Sequence, residues 1–319
     1  MIAPLVLAGY AVLAATLGAR VLTAAPWVRR SPRAGVLAWQ ALTASVLLAS
    51  LLSAVALALP FLPLRFPLAD LLGSHPPAVV AHYETPLGVW PGIAALAAAA
   101  GATTVLVATL VGSLRRVRRT RAEQRDLLRL VGRPHPEGFT VVDHDEPAVY
   151  CLPGRERTVV VTSGALALLT ARERRLVLGH ELRHLRGRHH LALAWSDALA
   201  RSFGRVRLFA HAHREVVTLV EMTADDAAHG RTDRRTLATA LVALGTGSRP
   251  EVALGAGDTA AAERVRRLTG PAGGPRWGHT GLVALVGAVA LSVPVSVALA
   301  PAIEAAARDC CSRVFVARH

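Results

Sequence analysis

Residues 34–64, 85–114 and 277–303 contain no Asp, Glu, Lys or Arg. About 20 apolar residues in a helix span roughly 30 Å of hydrocarbon, so each run is long enough to cross a bilayer and longer than an ordinary core helix needs. A fourth run, residues 2–24, is interrupted only by Arg20, whose guanidinium can snorkel to the interface. The chain is 52% hydrophobic with a mean hydropathy of +0.39, too apolar for an ordinary soluble protein. Four transmembrane helices are therefore expected. A cleaved signal peptide carries its positive charge ahead of its apolar core; here the charge follows it, so the first run reads as a retained span.

Arginine placement sets the expected orientation. The first loop holds Arg20, Arg29, Arg30 and Arg33 without an acid, whereas the second, residues 65–84, holds Arg65 against Asp70 and Glu84. Short cytoplasmic loops carry the excess of positive charge, which places the first loop inside and the second outside. The third run then returns to the cytosol, where Arg115, Arg116, Arg118, Arg119, Arg121 and Arg125 follow, a cluster suited to anionic headgroups. This reading is a multi-pass protein of the cell membrane with both termini outside. It divides into a three-span region (1–114), a cytosolic domain (115–276), a fourth span (277–303) and a short extracytoplasmic tail (304–319).

The formal charge of +14 comes entirely from arginine, since the chain has no lysine. With aromatics at only 4%, a basic face interleaved with stacking residues is not expected, and neither is nucleic-acid binding. Cys151, Cys310 and Cys311 form no spaced framework. Cys151, in an apolar stretch, reads as a small core residue, and the vicinal pair as free thiols.

Within 115–276, residues 139–143, 148–152 and 158–162 read as short strands, the last two joined by a turn at 153–157. The strand at 158–162 is a candidate for aligning substrate by edge pairing. Thr170 and Glu173 have capping-box spacing ahead of a periodic stretch, so the following segment reads as a helix. That helix carries His180, Glu181 and His184 as HExxH, and the periodicity continues through Gly187. A second helix is expected over 213–229, closed by Gly230, and a third over 233–244, with loops at 245–250 and 270–275.

Two histidines four apart on a helix differ by about 40° in azimuth and face one metal ion. Glu181 beside them can take a proton from a metal-bound water, giving two ligands, an open position and a base within one turn. Two candidates compete for the third ligand. Glu221, with Asp225 one turn later, can complete a His, His, Glu set while Asp225 holds a ligand imidazole. His190 extends the motif to HExxHxxGxxH, which requires the helix to end at Gly187; in an unbroken helix His190 is turned about 240° from His184 and cannot reach the metal. The continuous helical pattern favours Glu221 and leaves His189 and His190 on a basic surface.

HExxH followed, 37 residues after His184, by ExxAD in a segment between the third and fourth spans resembles the BlaR/MecR-type membrane zinc metallopeptidases. It is more distantly similar to the HtpX and CAAX-prenyl-protease group. The resemblance implies a mainly α fold whose cytosolic α+β gluzincin-type metallopeptidase domain contains a small β-sheet. It implies Zn2+ held by His180, His184 and Glu221, with Glu181 as base and Asp225 supporting a ligand. His229, Arg231 and Arg235 are the candidates for stabilising the transition state. Antibiotic-sensing members carry a penicillin-binding domain after the fourth span; this chain ends sixteen residues beyond it, so β-lactam sensing is not expected. The implied activity is peptide-bond hydrolysis on a protein or peptide, with a transcriptional repressor or the chain itself as the candidate target. The competing reading is a non-catalytic membrane signalling or scaffold component that retains a zinc site.

Overall fold

The computed structural model describes residues 2–83, 88–152, 158–247, 256–270 and 277–316, with the side chains of Cys310 and Cys311 outside the description. The turn expected at 153–157 also lies outside the described residues, as does most of the loop at 270–275.

Helix α1 (Ile2–Leu13) passes through a π-helical turn into α2 (Ala19–Ala24). Pro26 and Pro32 stand in the first turns of α3 (Pro26–Arg30) and α4 (Pro32–Ala58), where a missing N–H costs no helical bond. Two helices not expected from the sequence, α5 (Arg65–Leu72) and α6 (Pro76–Tyr83), occupy the second loop; Gly73, at φ 64°, caps the first. Helix α7 (Trp90–Val131) does not stop where the apolar run ends, but carries Arg115–Arg125 onward as 42 continuous residues.

A four-stranded sheet follows: β1 (Arg133–Pro134), β2 (Thr140–Val142), β3 (Val149–Leu152) and β4 (Thr158–Thr162), in spatial order β1-β2-β4-β3. β2 and β4 pair in parallel, and the other two pairings are antiparallel. The order corrects one expectation. β4 is interior, hydrogen-bonded on both sides, and cannot accept another strand; the edges are the two-residue β1 and, on the side next to β4, β3.

Thr162 caps α8 (Ser163–Leu168) by accepting the Ala165 N–H. The Thr170–Glu173 capping box is formed and starts α9 (Ala171–Arg186). The expected continuation of this helix is wrong: it ends at Arg186, and Arg188 sits in the left-handed region at φ 49° before α10 (His189–Phe203) begins. The chain then builds α11 (Arg207–Asp225), α12 (Gly230–Gly247) and the unexpected α13 (Ala256–Thr269). Helix α11 thus starts and ends earlier than expected, and Gly230 at φ 80° turns the chain into α12.

The last helix, α14 (Trp277–Val316), contains Pro294. Its missing N–H frees the Ala290 carbonyl four residues earlier, and that oxygen accepts from Ser45 Oγ at 2.7 Å and Tyr10 Oη at 3.1 Å. Four helical stretches are long and apolar enough to cross a membrane: Ile2–Ala24, Pro32–Phe61, Trp90–Val131 and Gly281–Arg308.

The membrane-length helices share one core with α10 and α11. Leu7, Val28, Trp39 and Val46 cluster with Leu199, Leu208, Phe209, Val216 and Leu219 of α10 and α11. Arg29 of the first loop fixes the same face, binding Glu215 on α11 at 2.5 and 3.0 Å and Glu263 on α13 at 2.8 Å.

Candidate metal centre

Helix α9 crosses beneath β3 and against α11, so that one turn of each helix faces the other. His180 Nε2 and His184 Nε2 are 3.2 Å apart; Glu221 Oε2 lies 3.6 Å from the first and Glu221 Oε1 3.6 Å from the second. Two ligand atoms at about 2.0–2.1 Å from a tetrahedral zinc are about 3.3–3.4 Å from one another. The two imidazole nitrogens therefore already have the spacing of two tetrahedral ligands, and the Glu221 carboxylate turns one oxygen toward each of them. Among the described residues this is the group of His, Cys, Asp and Glu side chains drawn together tightly enough to hold an ion.

The other face of each imidazole has a neighbour. His180 Nδ1 lies 3.1 Å from Asp225 Oδ1, close but off the line of a hydrogen bond. His184 Nδ1 lies 3.1 Å from Nδ1 of His189, so one of the two rings donates to the other. His189 is not the surface residue expected: it is buried, and the break at Gly187–Arg188 is what swings it back to α9. Gly187 is required there by space, since a Cβ would stand 2.2 Å from His189 Nε2. His190, the rival third ligand, lies outside the three-atom cluster and lines the mouth of the cleft. The break that the long motif needs is present, but it delivers His189 behind His184 and leaves His190 outside the His180, His184, Glu221 cluster.

Sequence reasoning missed Arg264. From α13 its Nε and Nη2 bind both oxygens of Asp225 at 2.9 and 2.8 Å, and Nη1 reaches Glu221 Oε2 at 3.1 Å. Burial opposes ionisation of Asp225, but the Arg264 hydrogen bonds and His180 outweigh it and hold the carboxyl down at about 2. Glu221 is likewise lowered against its burial by His180 and Arg264. In the metal-free site burial works against a charge on His180, and Asp225 and Glu221 overcome it, raising the imidazole to about 9. A cation is thus favoured where the three ligand atoms meet.

Glu181 projects into a cleft of about 510 Å³ lined also by Tyr150, Cys151 and Leu152 of β3 and by Arg121 and Gln124 of α7. Burial raises the Glu181 carboxyl, while His180 and the Cys151 thiol and amide act in the opposite sense. Cys151 is half-buried at the cleft, not a plain core residue; burial first, then the Glu181 charge, pushes its thiol up to about 12. A thiol held so far up stays protonated at neutral pH and is a poor nucleophile.

The three transition-state candidates are elsewhere. Arg231 and Arg235 line a separate cavity with Glu173 and Thr239, and His229 is exposed outside the cleft. Helix α11 ends at Asp225, and the chain beyond it turns away.

Residues 114–245 match the model of Peptidase family M48. This M48-like region holds α8 to α11, the sheet and all three ligand atoms, and stops short of Arg264. It supports a metallopeptidase reading of the cleft independently of the geometry. No curated protein and no solved structure matches the chain.

Proposed function

We propose that the chain is a membrane-embedded zinc endopeptidase that hydrolyses a protein or peptide substrate at the His180, His184, Glu221 centre. The observation that carries this reading is the convergence of two imidazole nitrogens at ligand spacing and the Glu221 carboxylate, beside Glu181 in an open cleft. Bound zinc would supply Lewis-acid polarisation and lower the pKa of water. The chain's own residues do the rest. Glu181 takes the proton of the attacking water, its raised pKa bringing it nearer the operating pH, and returns it to the leaving amine. Asp225 and His189 keep the two imidazoles turned to the metal. The free edge of β3, with Tyr150 and Leu152 at the cleft, is the strand on which an extended substrate can pair.

The arginine asymmetry of the loops supports a cytosolic catalytic face with both termini outside. The motif spacing resembling the BlaR/MecR-type sensors supports a regulatory substrate such as a transcriptional repressor, or self-cleavage, and rests on that likeness alone. Glu181→Gln separates enzyme from zinc-retaining scaffold. The amide keeps the shape but not the basicity, so peptide cleavage by the full-length protein should fall about 10²-fold or more with zinc still bound. A wild-type protein that binds zinc and cleaves nothing would leave the scaffold reading standing.

A further inference from the structure

Helices α10 and α11 form a hairpin whose two legs lie against different spans, and both contacts run in the same direction. Along α7, His190 meets Arg121 at the shared wall of the cleft and an adjoining cavity, while Arg201 Nη2 donates to Ser113 Oγ at 3.0 Å. Helix α10 is therefore antiparallel to α7, and its C-terminal end points back to the apolar run that closes at Arg115. Along α4, a Cβ on Gly35 would stand 3.0 Å from Leu219, and the Trp39 ring is 5.3 Å from that of His211. Moving toward the start of α11 is thus moving into the apolar run that opens after Arg33. The first span agrees, with Thr23 Oγ1 2.8 Å from His211 Nε2.

Three spans thus put Arg201 and His211 at the level where charge gives way to hydrocarbon, with the turn between the legs beyond that level. From Arg201 to Val206 is about 5–8 Å along the hairpin, the depth at which interfacial segments lie. The composition of the turn suits that place. Phe203 and Leu106 of the third span pack on the cluster that holds Leu208 and Phe209, while Val206 is 45% exposed. Arg205 and Arg207 are exposed, and their side chains have no hydrogen bond or ion pair among the described residues. Arginines flanking an apolar tip can keep their stems in the acyl boundary and their guanidinium groups on phosphate.

We infer that the α10–α11 turn, residues 203–208, is seated in the bilayer surface on the peptidase side, with Arg205 and Arg207 on phospholipid headgroups. Helix α10 begins at His189 and α11 carries Glu221, so this seat fixes how far the metal centre stands from the membrane. The inference rests on the four spans and not on peptidase activity.

The test uses the full-length chain in nanodiscs containing phosphatidylglycerol, with Cys151, Cys310 and Cys311 replaced by serine and one environment-sensitive label at Val206→Cys. Leu130→Cys, on the far end of α7, and Val105→Cys, within the third span, are the references; all three positions are exposed. Spin-labelled phospholipid should quench the labels at 206 and 105, and aqueous iodide the label at 130. In Arg205→Glu with Arg207→Glu, lipid quenching at 206 should drop at least about threefold. A label at 206 that iodide reaches as well as it reaches 130 overturns the seat, and unchanged quenching in the double variant overturns the headgroup contact. A label at 105 untouched by lipid refutes the span, and the seat with it. Val206 is a turn residue with an exposed side chain, so each labelled chain is expected to melt like its parent.

Discussion

His189 Nδ1 lies 3.1 Å from His184 Nδ1, behind the nitrogen that faces the metal site. Burial, then the neighbouring His184, holds His189 down at about 4, so at neutral pH it is an uncharged ring whose Nδ1 can accept a hydrogen bond from the His184 Nδ1–H. That arrangement leaves the lone pair of His184 Nε2 for the metal. His189→Ala should weaken zinc affinity by about 10- to 100-fold, the usual cost of losing a group that orients a ligand imidazole. His190→Ala should bind zinc as the parent does. Competition with a chelating dye on the purified full-length protein distinguishes them, and the reverse ranking would restore the long HExxHxxGxxH reading.

Arg264 is the only cation contacting Asp225 and Glu221 among the described residues, apart from the ligand histidine His180 and, for Glu221, His184. Removing one partner of a buried charge pair typically costs about 3–5 kcal/mol, because the other charge is left unpaired. Arg264→Met should therefore lower the melting temperature of the metal-free protein sharply. A bound divalent ion supplies positive charge to the same carboxylates, so added zinc should recover part of the loss. The expected result is a larger zinc-induced rise in melting temperature in the variant than in the parent. Equal rises in both would show that Arg264 does not share its role with the metal.

The parts of this site that were legible from the sequence are those specified within one turn of helix. The Thr170–Glu173 box, the four-residue spacing of His180 and His184, and the same spacing of Glu221 and Asp225 are local patterns with a local physical meaning. What was not legible depends on contacts between distant segments. Arg264 sits in an Ala- and Arg-rich stretch with nothing to mark it, and acquires a role only because α13 packs across the end of α11. The edge position of β3 follows from sheet order, which no strand encodes by itself. The break after Arg186 was hidden because its left-handed residue is Arg188, where glycine or asparagine is the usual signal. Arg231 and Arg235 follow Asp225 closely in sequence, but the chain turns at the positive-φ Gly230 and they line a separate cavity.

Cys151 lines the same cleft as the base yet should be chemically quiet. With its thiol pushed up to about 12, the thiolate fraction at pH 8 is about 10⁻⁴, against roughly a quarter for an ordinary thiol. The greater nucleophilicity of a basic thiolate recovers part of this, leaving alkylation slower by on the order of 50-fold. In a chain with Cys310 and Cys311 replaced by serine, iodoacetamide labelling of Cys151 should be that slow. Glu181→Gln should speed it, since the carboxylate charge is one of the groups raising the thiol. Labelling at the rate of a free thiol would mean that neither burial nor the Glu181 charge raises the Cys151 thiol.

Gly187 offers a test of how the helix break reaches the metal. Its φ of −74° is open to any residue, so alanine there meets no backbone penalty of the left-handed kind. The obstacle is the 2.2 Å between its would-be Cβ and His189 Nε2, with the Arg183 carbonyl at 3.1 Å on the other side. Gly187→Ala must therefore displace the His189 ring, and its cost should appear as weakened zinc binding similar to that of His189→Ala. In a chain already carrying His189→Ala the added methyl has no imidazole to strike, and the second substitution should change zinc affinity by less than about twofold. Residues in contact give such non-additivity, and a double-mutant cycle measures it. If the two losses instead multiply, Gly187 is needed for something other than room for His189, and the break positions the metal centre by another route.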